Sequence, residues 1–142
     1  MRTLLASALA LSLLGSFAGC SKSSKDTDET AMEAKVPTVT VDELDTQLAK
    51  SEAQPVDANG AGTRRKMGVI PGAVLLTDSD DFKASELPPD KTKPLVFYCA
   101  NTSCGASHHA AAKAITAGYT NVKVLPEGIA GWVKAGKKTQ SI

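Results

Sequence analysis

Short apolar runs alternate with helix-like segments along the chain from Val36 onward. The apolar runs predict five strands, at 36–40, 55–58, 73–76, 95–99 and 121–125. Strands that alternate with crossover helices are typical of α/β proteins with a largely parallel sheet. The run LVFYC at 95–99 is the most apolar and is predicted as the central strand, because strands buried on both faces have continuous apolar sequences.

Helix signals lie between the predicted strands. Thr40 and Glu43 have the spacing of a capping box, and apolar residues at 41, 44 and 48 then predict a helix to about Lys50. Further helices are predicted at 78–87, from Ser107 to Gly118, and around 129–135. The last of these carries Trp132, which is expected in the core.

The first twenty residues, MRTLLASALALSLLGSFAGC, have an early basic residue, an apolar run and small residues before Cys20. This pattern predicts a secretory signal at 1–19, which is too short for a comfortable membrane-spanning helix. Ala18 and Gly19 resemble a bacterial lipobox, which implies lipidation of Cys20, although Phe17 stands where Leu is usual. The alternative is an ordinary cleaved signal that leaves Cys20 as a free thiol.

Residues 20–35 are predicted to be the lipidated cysteine and a flexible tether. The segment SKSSKDTDETAMEAK is polar, mixed in charge and without aromatic or branched apolar residues. A lipid on Cys20 would anchor the protein to a membrane. Ser21 in the next position, rather than Asp, favours the outer membrane of a bacterial envelope, with the folded domain at 36–142 facing the periplasm.

The charge balance argues against nucleic acid as a partner. The chain has 16 Lys and Arg and 15 Asp and Glu, and removing residues 1–19 takes away Arg2, which leaves 15 of each (16 − 1 = 15). Phosphate binding needs a basic excess on one face. The sequence also lacks a Gly-rich phosphate loop, a Ser-His-Asp order and a zinc-protease helix, so no cofactor is predicted.

Cys99 ends the predicted central strand, where open parallel sheets place their reactive residues. The residues after it are small or polar, so their amides can turn inward, and the helix from Ser107 adds its positive end. Such surroundings lower the pKa of a thiol and stabilise an anion beside the sulfur. Cys99 is therefore predicted to be nucleophilic or to carry a persulfide.

From about residue 38 to 136 the chain resembles the rhodanese-like sulfurtransferase family. The matching segments are VDAN at 56–59, GVIPGAVLL at 68–76, VFYC at 96–99, Ser107 with Ala110 and Ala111, and AGYTNVKVLPEGIAGW at 117–132. The resemblance implies a five-stranded, mainly parallel sheet flanked by helices on both faces.

The resemblance also implies a function for the thiol. Cys99 would take a sulfane sulfur from an anionic donor of the thiosulfate or polysulfide class and pass it, as a persulfide, to a thiophilic acceptor such as a thiol. The backbone of the following loop would bind the donor; its residues are Ala100, Asn101, Thr102, Ser103, Cys104 and Gly105. The alternative is a module without catalysis that uses the same fold to bind a partner or a sulfur compound.

Several residues depart from the family's pattern. Val69, Asn59 and Glu127 stand where the family often has His, Arg and Gly. Ser107 lies eight residues after Cys99, a longer spacing than is common, and the loop has no Arg. A longer, uncharged loop lacks an attraction for a dianion, so thiosulfate is expected to be a poor donor.

Cys104 occupies the position of the missing Arg. It is five residues from Cys99, close enough for the sulfurs to meet, and compartments outside the cytoplasm favour disulfides. One interpretation makes Cys104 a resolving thiol for a persulfide or sulfenate on Cys99; the other makes it a small buried filler. In the alternative without catalysis, a Cys99–Cys104 disulfide would sense redox state.

The remaining candidates are weaker. His108 and His109 could join the two cysteines as ligands of zinc or copper, but the spacing is unusual for zinc and no metal is predicted. Asp57 is expected either to tie down loop amides or to line the pocket mouth. Arg64 and Arg65, with the adjacent Lys66, form either a solvated loop or a cluster that steers anionic donors.

Overall fold

The computed structural model describes residues 35–142. The predicted signal, Cys20 and the tether as far as residue 34 lie outside the described residues. Four parallel strands form one sheet: β1 (Gln54–Asp57), β2 (Val74–Leu75), β3 (Leu95–Tyr98) and β4 (Val122–Leu125). Their order across the sheet is β2-β1-β3-β4, so β3 lies between two neighbours as predicted.

The described helices are α1 (Val41–Ala49), α2 (Ala61–Met67), α3 (Ala106–Thr116) and α4 (Gly128–Lys134). The predicted capping box of α1 is confirmed: the Thr40 amide donates to the Glu43 carboxylate at 2.8 Å, and the Glu43 amide donates to Thr40 Oγ1 at 3.3 Å. None of the helices within residues 35–142 is long and apolar enough to cross a membrane.

The prediction of a fifth strand at 36–40 is wrong. This segment pairs with β4 through a single parallel bridge between Thr38 and Val124, supported by hydrogen bonds of Val124 to Pro37 and Val39. Pro37 has no amide hydrogen to donate, and Thr40 already caps α1, so few residues are free to extend the ladder.

Two further predictions differ from the structure. The helix expected at 78–87 is reduced to a 3₁₀ turn at Ala84–Glu86, because the Asp78 carboxylate accepts the amides of Asp80 and Asp81 and holds a turn instead. Conversely, the segment with Arg64 and Arg65, for which a solvated loop was one of the two interpretations, forms α2.

The sheet is covered on both faces. Val56, Phe97 and Val124 pack on one side, against α3 and the segment around Phe82. On the other side the strands pack against α1 and α4, in a cluster that includes Leu44, Val96, Tyr98, Leu125, Ile129 and Trp132. Side chains alternate along a strand, so Cys99 shares the α3 face with Phe97.

A buried ion pair joins α2 to the carboxyl ends of β1 and β2. Asp57 is fully buried, and its Oδ1 accepts the Asn59 amide at 2.7 Å and Arg64 Nε at 3.2 Å. The same guanidinium donates to the carbonyl oxygens of Asp57 and Leu76. Arg64 therefore fixes the edge of the sheet at which Cys99 lies.

We expect Arg64→Met to lower the free energy of unfolding by about 3 kcal/mol, because the change leaves a buried carboxylate without its partner. The neighbouring Arg65→Met is the matched control, since Arg65 is exposed on α2 and should change stability by less than about 0.5 kcal/mol. Urea unfolding followed by circular dichroism measures both. Equal losses in the two variants would contradict a structural role of the pair.

Candidate active site

Cys99 directly follows β3 at the carboxyl edge of the sheet. The same edge carries Asn59, two residues beyond β1, and Glu127, two residues beyond β4. Because all four strands are parallel, the loops after β1, β3 and β4 meet at this edge. The candidate site is therefore built from loops whose starting points the sheet fixes.

The Cys99 thiol is enclosed. The residue is only 1% exposed, and its Sγ donates to the Cys104 carbonyl oxygen at 3.0 Å and lies 3.3 Å from Ser107 Oγ. Burial raises the pKa of Cys99 and the neighbouring Cys104 thiol raises it further, against the hydrogen bonds from the Ser107 hydroxyl and amide. The expectation of a lowered pKa at Cys99 is thus wrong, because burial and the neighbouring Cys104 thiol outweigh the hydrogen bonds from Ser107.

Cys104 has the opposite environment. Burial disfavours its thiolate, but hydrogen bonds from the Cys99 thiol and from the amides of Ala100 and Ala106 outweigh burial, so the pKa of Cys104 is lowered. Ala106 is the first residue of α3, where the positive end of a helix favours a thiolate. Cys104 is half-buried, so it is also more accessible than Cys99, the other free thiol within residues 35–142.

The loop from Ala100 to Gly105 folds largely upon itself. The Ser103 amide donates to Asn101 Oδ1 at 3.0 Å, and the Cys104 amide donates to the Asn101 carbonyl at 3.0 Å. These two amides are therefore engaged within the loop rather than aimed at Cys99. Asn101, Thr102, Ser103 and Gly105 are exposed.

The turn after β3 is held from behind by the start of α4. The amides of Ile129 and Ala130 donate to the carbonyl oxygens of Cys99 and Ala100 at 2.9 and 3.0 Å. Gly128 has φ +60°, and a Cβ there would lie 2.5 Å from the Cys99 carbonyl oxygen. Glu127 has an ordinary φ of −67°, which explains how it can replace a family glycine while Gly128 remains.

The other predicted site residues lie as follows. Asp57 and Arg64 are paired with each other, and Arg65 is exposed on α2. His109 lies beside Asp80, with Nε2 3.8 Å from Oδ1. Across residues 35–142, no three His, Cys, Asp or Glu side chains are grouped so that they could hold a metal ion.

Two polar groups at the same edge were not predicted from the sequence. Asn59 is only 7% exposed, yet its Nδ2 has no hydrogen-bond partner among the described residues, and the same holds for Glu127 Oε2. The sequence signalled both positions only as departures from the family's pattern. Their burial without partners depends on packing that spacing alone does not reveal.

The chain belongs to the rhodanese-like domain family, whose sequence model matches residues 40–135, more than half of its length. This assignment confirms the resemblance described above. No significant match was found among curated proteins.

Solved structures share the fold at low sequence identity. A rhodanese-like domain from Anabaena is 24% identical, with a TM-score of 0.62, covering 75% of this chain and 80% of that one. The human single-domain sulfurtransferase TSTD1 is 22% identical, with a TM-score of 0.57, covering 70% of this chain and 96% of that one. A thiosulfate sulfurtransferase from Pseudomonas aeruginosa is 24% identical, with a TM-score of 0.64, covering 80% of this chain and 22% of that one.

We expect Gly128→Ala to destabilise the domain by about 2–4 kcal/mol. A side chain is strained at this positive φ, and its Cβ would clash with the Cys99 carbonyl oxygen and force the turn after β3 to move. Gly136→Ala is the matched control: Gly136 has φ +73° but open space around it, so strain alone should cost about 1 kcal/mol. Chemical unfolding gives both values. Similar losses in the two variants would show that the close approach to Cys99 is unimportant.

Proposed function

We propose that this domain is an extracytoplasmic sulfurtransferase. It would move a sulfane sulfur from an anionic donor of the thiosulfate or polysulfide class to a thiophilic acceptor such as a thiol, through a persulfide on Cys99. The observation that carries the proposal is the free Cys99 thiol at the carboxyl edge of the sheet in a rhodanese-like domain, hydrogen-bonded to the carbonyl oxygen of a second free cysteine, Cys104.

The chemistry is a pair of displacements on sulfur. The Cys99 thiolate attacks the outer sulfur of the donor, and the old bond breaks so that the leaving group, sulfite in the case of thiosulfate, keeps the electron pair. An acceptor thiolate then attacks the outer sulfur of the Cys99 persulfide and releases the Cys99 thiolate. The Ser107 hydroxyl, 3.3 Å from Cys99 Sγ, and the Ser107 amide stabilise the anionic forms of this sulfur.

The loop affects which donor reacts well. Residues 100–105 contain no Lys or Arg, so a dianion such as thiosulfate finds no side-chain charge there. An organic thiosulfonate carries one negative charge rather than two, so it depends less on such a side chain. We expect it to be a better donor than thiosulfate.

We further propose that Cys20 carries the lipid anchor. The tether would then hold the domain at the periplasmic face of a bacterial membrane, the outer one being favoured by Ser21. We expect Cys20→Ala to move the protein from the membrane fraction to the soluble periplasmic fraction. Unchanged fractionation on immunoblotting would contradict lipidation.

We expect the wild-type protein to gain the mass of one sulfur after incubation with benzenethiosulfonate, and to release thiocyanate when cyanide is added. Fragmentation of the modified peptide should place the resting sulfur on Cys99. Both signals should be lost in the double variant Cys99→Ser/Cys104→Ser, because no thiol then remains in the described domain.

Ser85→Ala, an exposed change outside the site, serves as the matched control and should behave as wild type. No sulfur gain in the wild type with thiosulfonate, polysulfide or thiosulfate would contradict the function. A loss of two hydrogens without sulfur gain would instead support the second candidate, a redox-sensing module with a Cys99–Cys104 disulfide. The observation that favours this second candidate is that Cys99 Sγ lies 3.0 Å from the carbonyl oxygen of Cys104, the other free cysteine of the described domain.

A further inference from the structure

The two thiols of the site differ in access. Cys99 is 1% exposed, enclosed by Cys104 and Ser107, whereas Cys104 is half-buried and is followed by the exposed Gly105. A Cβ placed on Gly105 would meet nothing within 4 Å, so the residue next to Cys104 in the chain borders open space. A donor can therefore approach Cys104 from solvent, while the present arrangement screens Cys99.

The two thiols also differ in the polar groups that face them. Cys99 faces a carbonyl oxygen at 3.0 Å, which favours the protonated thiol. Cys104 receives main-chain amides from Ala100 and Ala106, the groups that favour a thiolate. The nucleophilic form is thus stabilised on the accessible sulfur and disfavoured on the enclosed one.

We propose that Cys104 is a second catalytic residue: it accepts the sulfane sulfur from the donor first and passes it to Cys99. The inference rests on the proposed function, transfer through a Cys99 persulfide, and changes its first step: the donor's sulfur reaches Cys99 through Cys104 rather than by direct attack of Cys99.

Each step balances without an added oxidant or reductant. The Cys104 thiolate attacks the outer sulfur of the donor, and the leaving group departs with the electron pair of the broken bond. The Cys99 sulfur then attacks the outer sulfur of the Cys104 persulfide, and the Cys104 sulfur takes the electron pair together with the Cys99 proton. The products of this second step are a Cys99 persulfide and a Cys104 thiol.

The proton that moves in the second step already lies beside Cys104. Cys99 Sγ donates to the Cys104 carbonyl oxygen at 3.0 Å, so the proton is held at the residue whose sulfur becomes the leaving group. The two cysteines lie in one short segment, so the transfer needs no large movement of the chain. The start of α4 holds this segment through the carbonyl oxygens of Cys99 and Ala100. The enclosed Cys99 would then shield the transferred sulfur from solvent.

The order in which the two cysteines receive the sulfur is tested by measuring how fast benzenesulfinate is released from excess benzenethiosulfonate. No acceptor thiol is added, so the protein completes only the first transfer. We expect Cys99→Ser still to release one equivalent of benzenesulfinate and to hold the sulfur on Cys104, located by mass spectrometry. Cys104→Ser, and Cys104→Ala as a second replacement, should slow the release at least about tenfold, because the accessible thiolate is lost. Thermal unfolding of each variant confirms that it is folded, and Ser85→Ala controls for substitution itself.

The opposite pattern overturns the inference: a full release rate in both folded Cys104 variants, with none in Cys99→Ser, would mean that the donor reacts directly with Cys99. That result would leave the proposed function standing. Absence of release and of sulfur gain in the wild type would instead remove the proposed function, so the two failures are distinguishable.

Discussion

Hydrogen bonds between the start of α4 and the turn after β3 fix the backbone on which the site is built. The amides of Ile129 and Ala130 hold the carbonyl oxygens of Cys99 and Ala100, and this close approach is possible because Gly128 has no side chain. Because the carbonyl oxygen of Cys99 points toward α4, the amide of Ala100, in the same peptide unit, points to the opposite side of the turn. There it donates a hydrogen bond to Cys104. One packing contact therefore decides how the loop's polar groups are shared between two sulfurs.

That sharing distinguishes this site from one with a single cysteine. A single thiol at the end of β3 could accept hydrogen bonds from all the amides that point inward. Here the Cys99 thiolate is stabilised by Ser107, and the Cys104 thiolate by the amides of Ala100 and Ala106. The Asp57–Arg64 pair and the covered faces of the sheet keep the framework rigid around this loop. The loop after Cys99 is longer than is common in the family and has no arginine. In the arginine's position it has the thiol of Cys104 instead of a permanent positive charge.

Much of the fold follows from the sequence because its strands are short, apolar and separated by helix signals. The parallel sheet, the central position of β3 and the Thr40–Glu43 capping box were predicted and are confirmed. The segment at 36–40 was predicted as a strand because its pattern is apolar, but the lack of a Pro37 amide and the cap at Thr40 limit it to one bridge. The apolar pattern of a sequence does not show which backbone amides and carbonyls are free to form hydrogen bonds with a neighbouring strand.

The site was predicted less completely than the fold. The sequence places Cys99 at the strand end and Cys104 near it, but it does not show that the Cys104 carbonyl turns toward Cys99. The lack of a partner for the side-chain Nδ2 of Asn59 and the burial of Asp57 likewise depend on packing between loops that are distant in sequence. The assignment of Cys99 as the residue that carries the persulfide stays a prediction.

The division of polar groups between the two sulfurs is tested most directly by recording the ¹³Cβ chemical shifts of both cysteines as a function of pH. The two thiols interact, so their titrations are coupled and the first proton lost belongs to the pair. The account predicts that this first step moves mainly the Cys104 signal, below the pH at which an ordinary cysteine ionises, and that Cys99 follows only at higher pH. If Cys99 instead ionises first, with Cys104 remaining a thiol, the account is wrong.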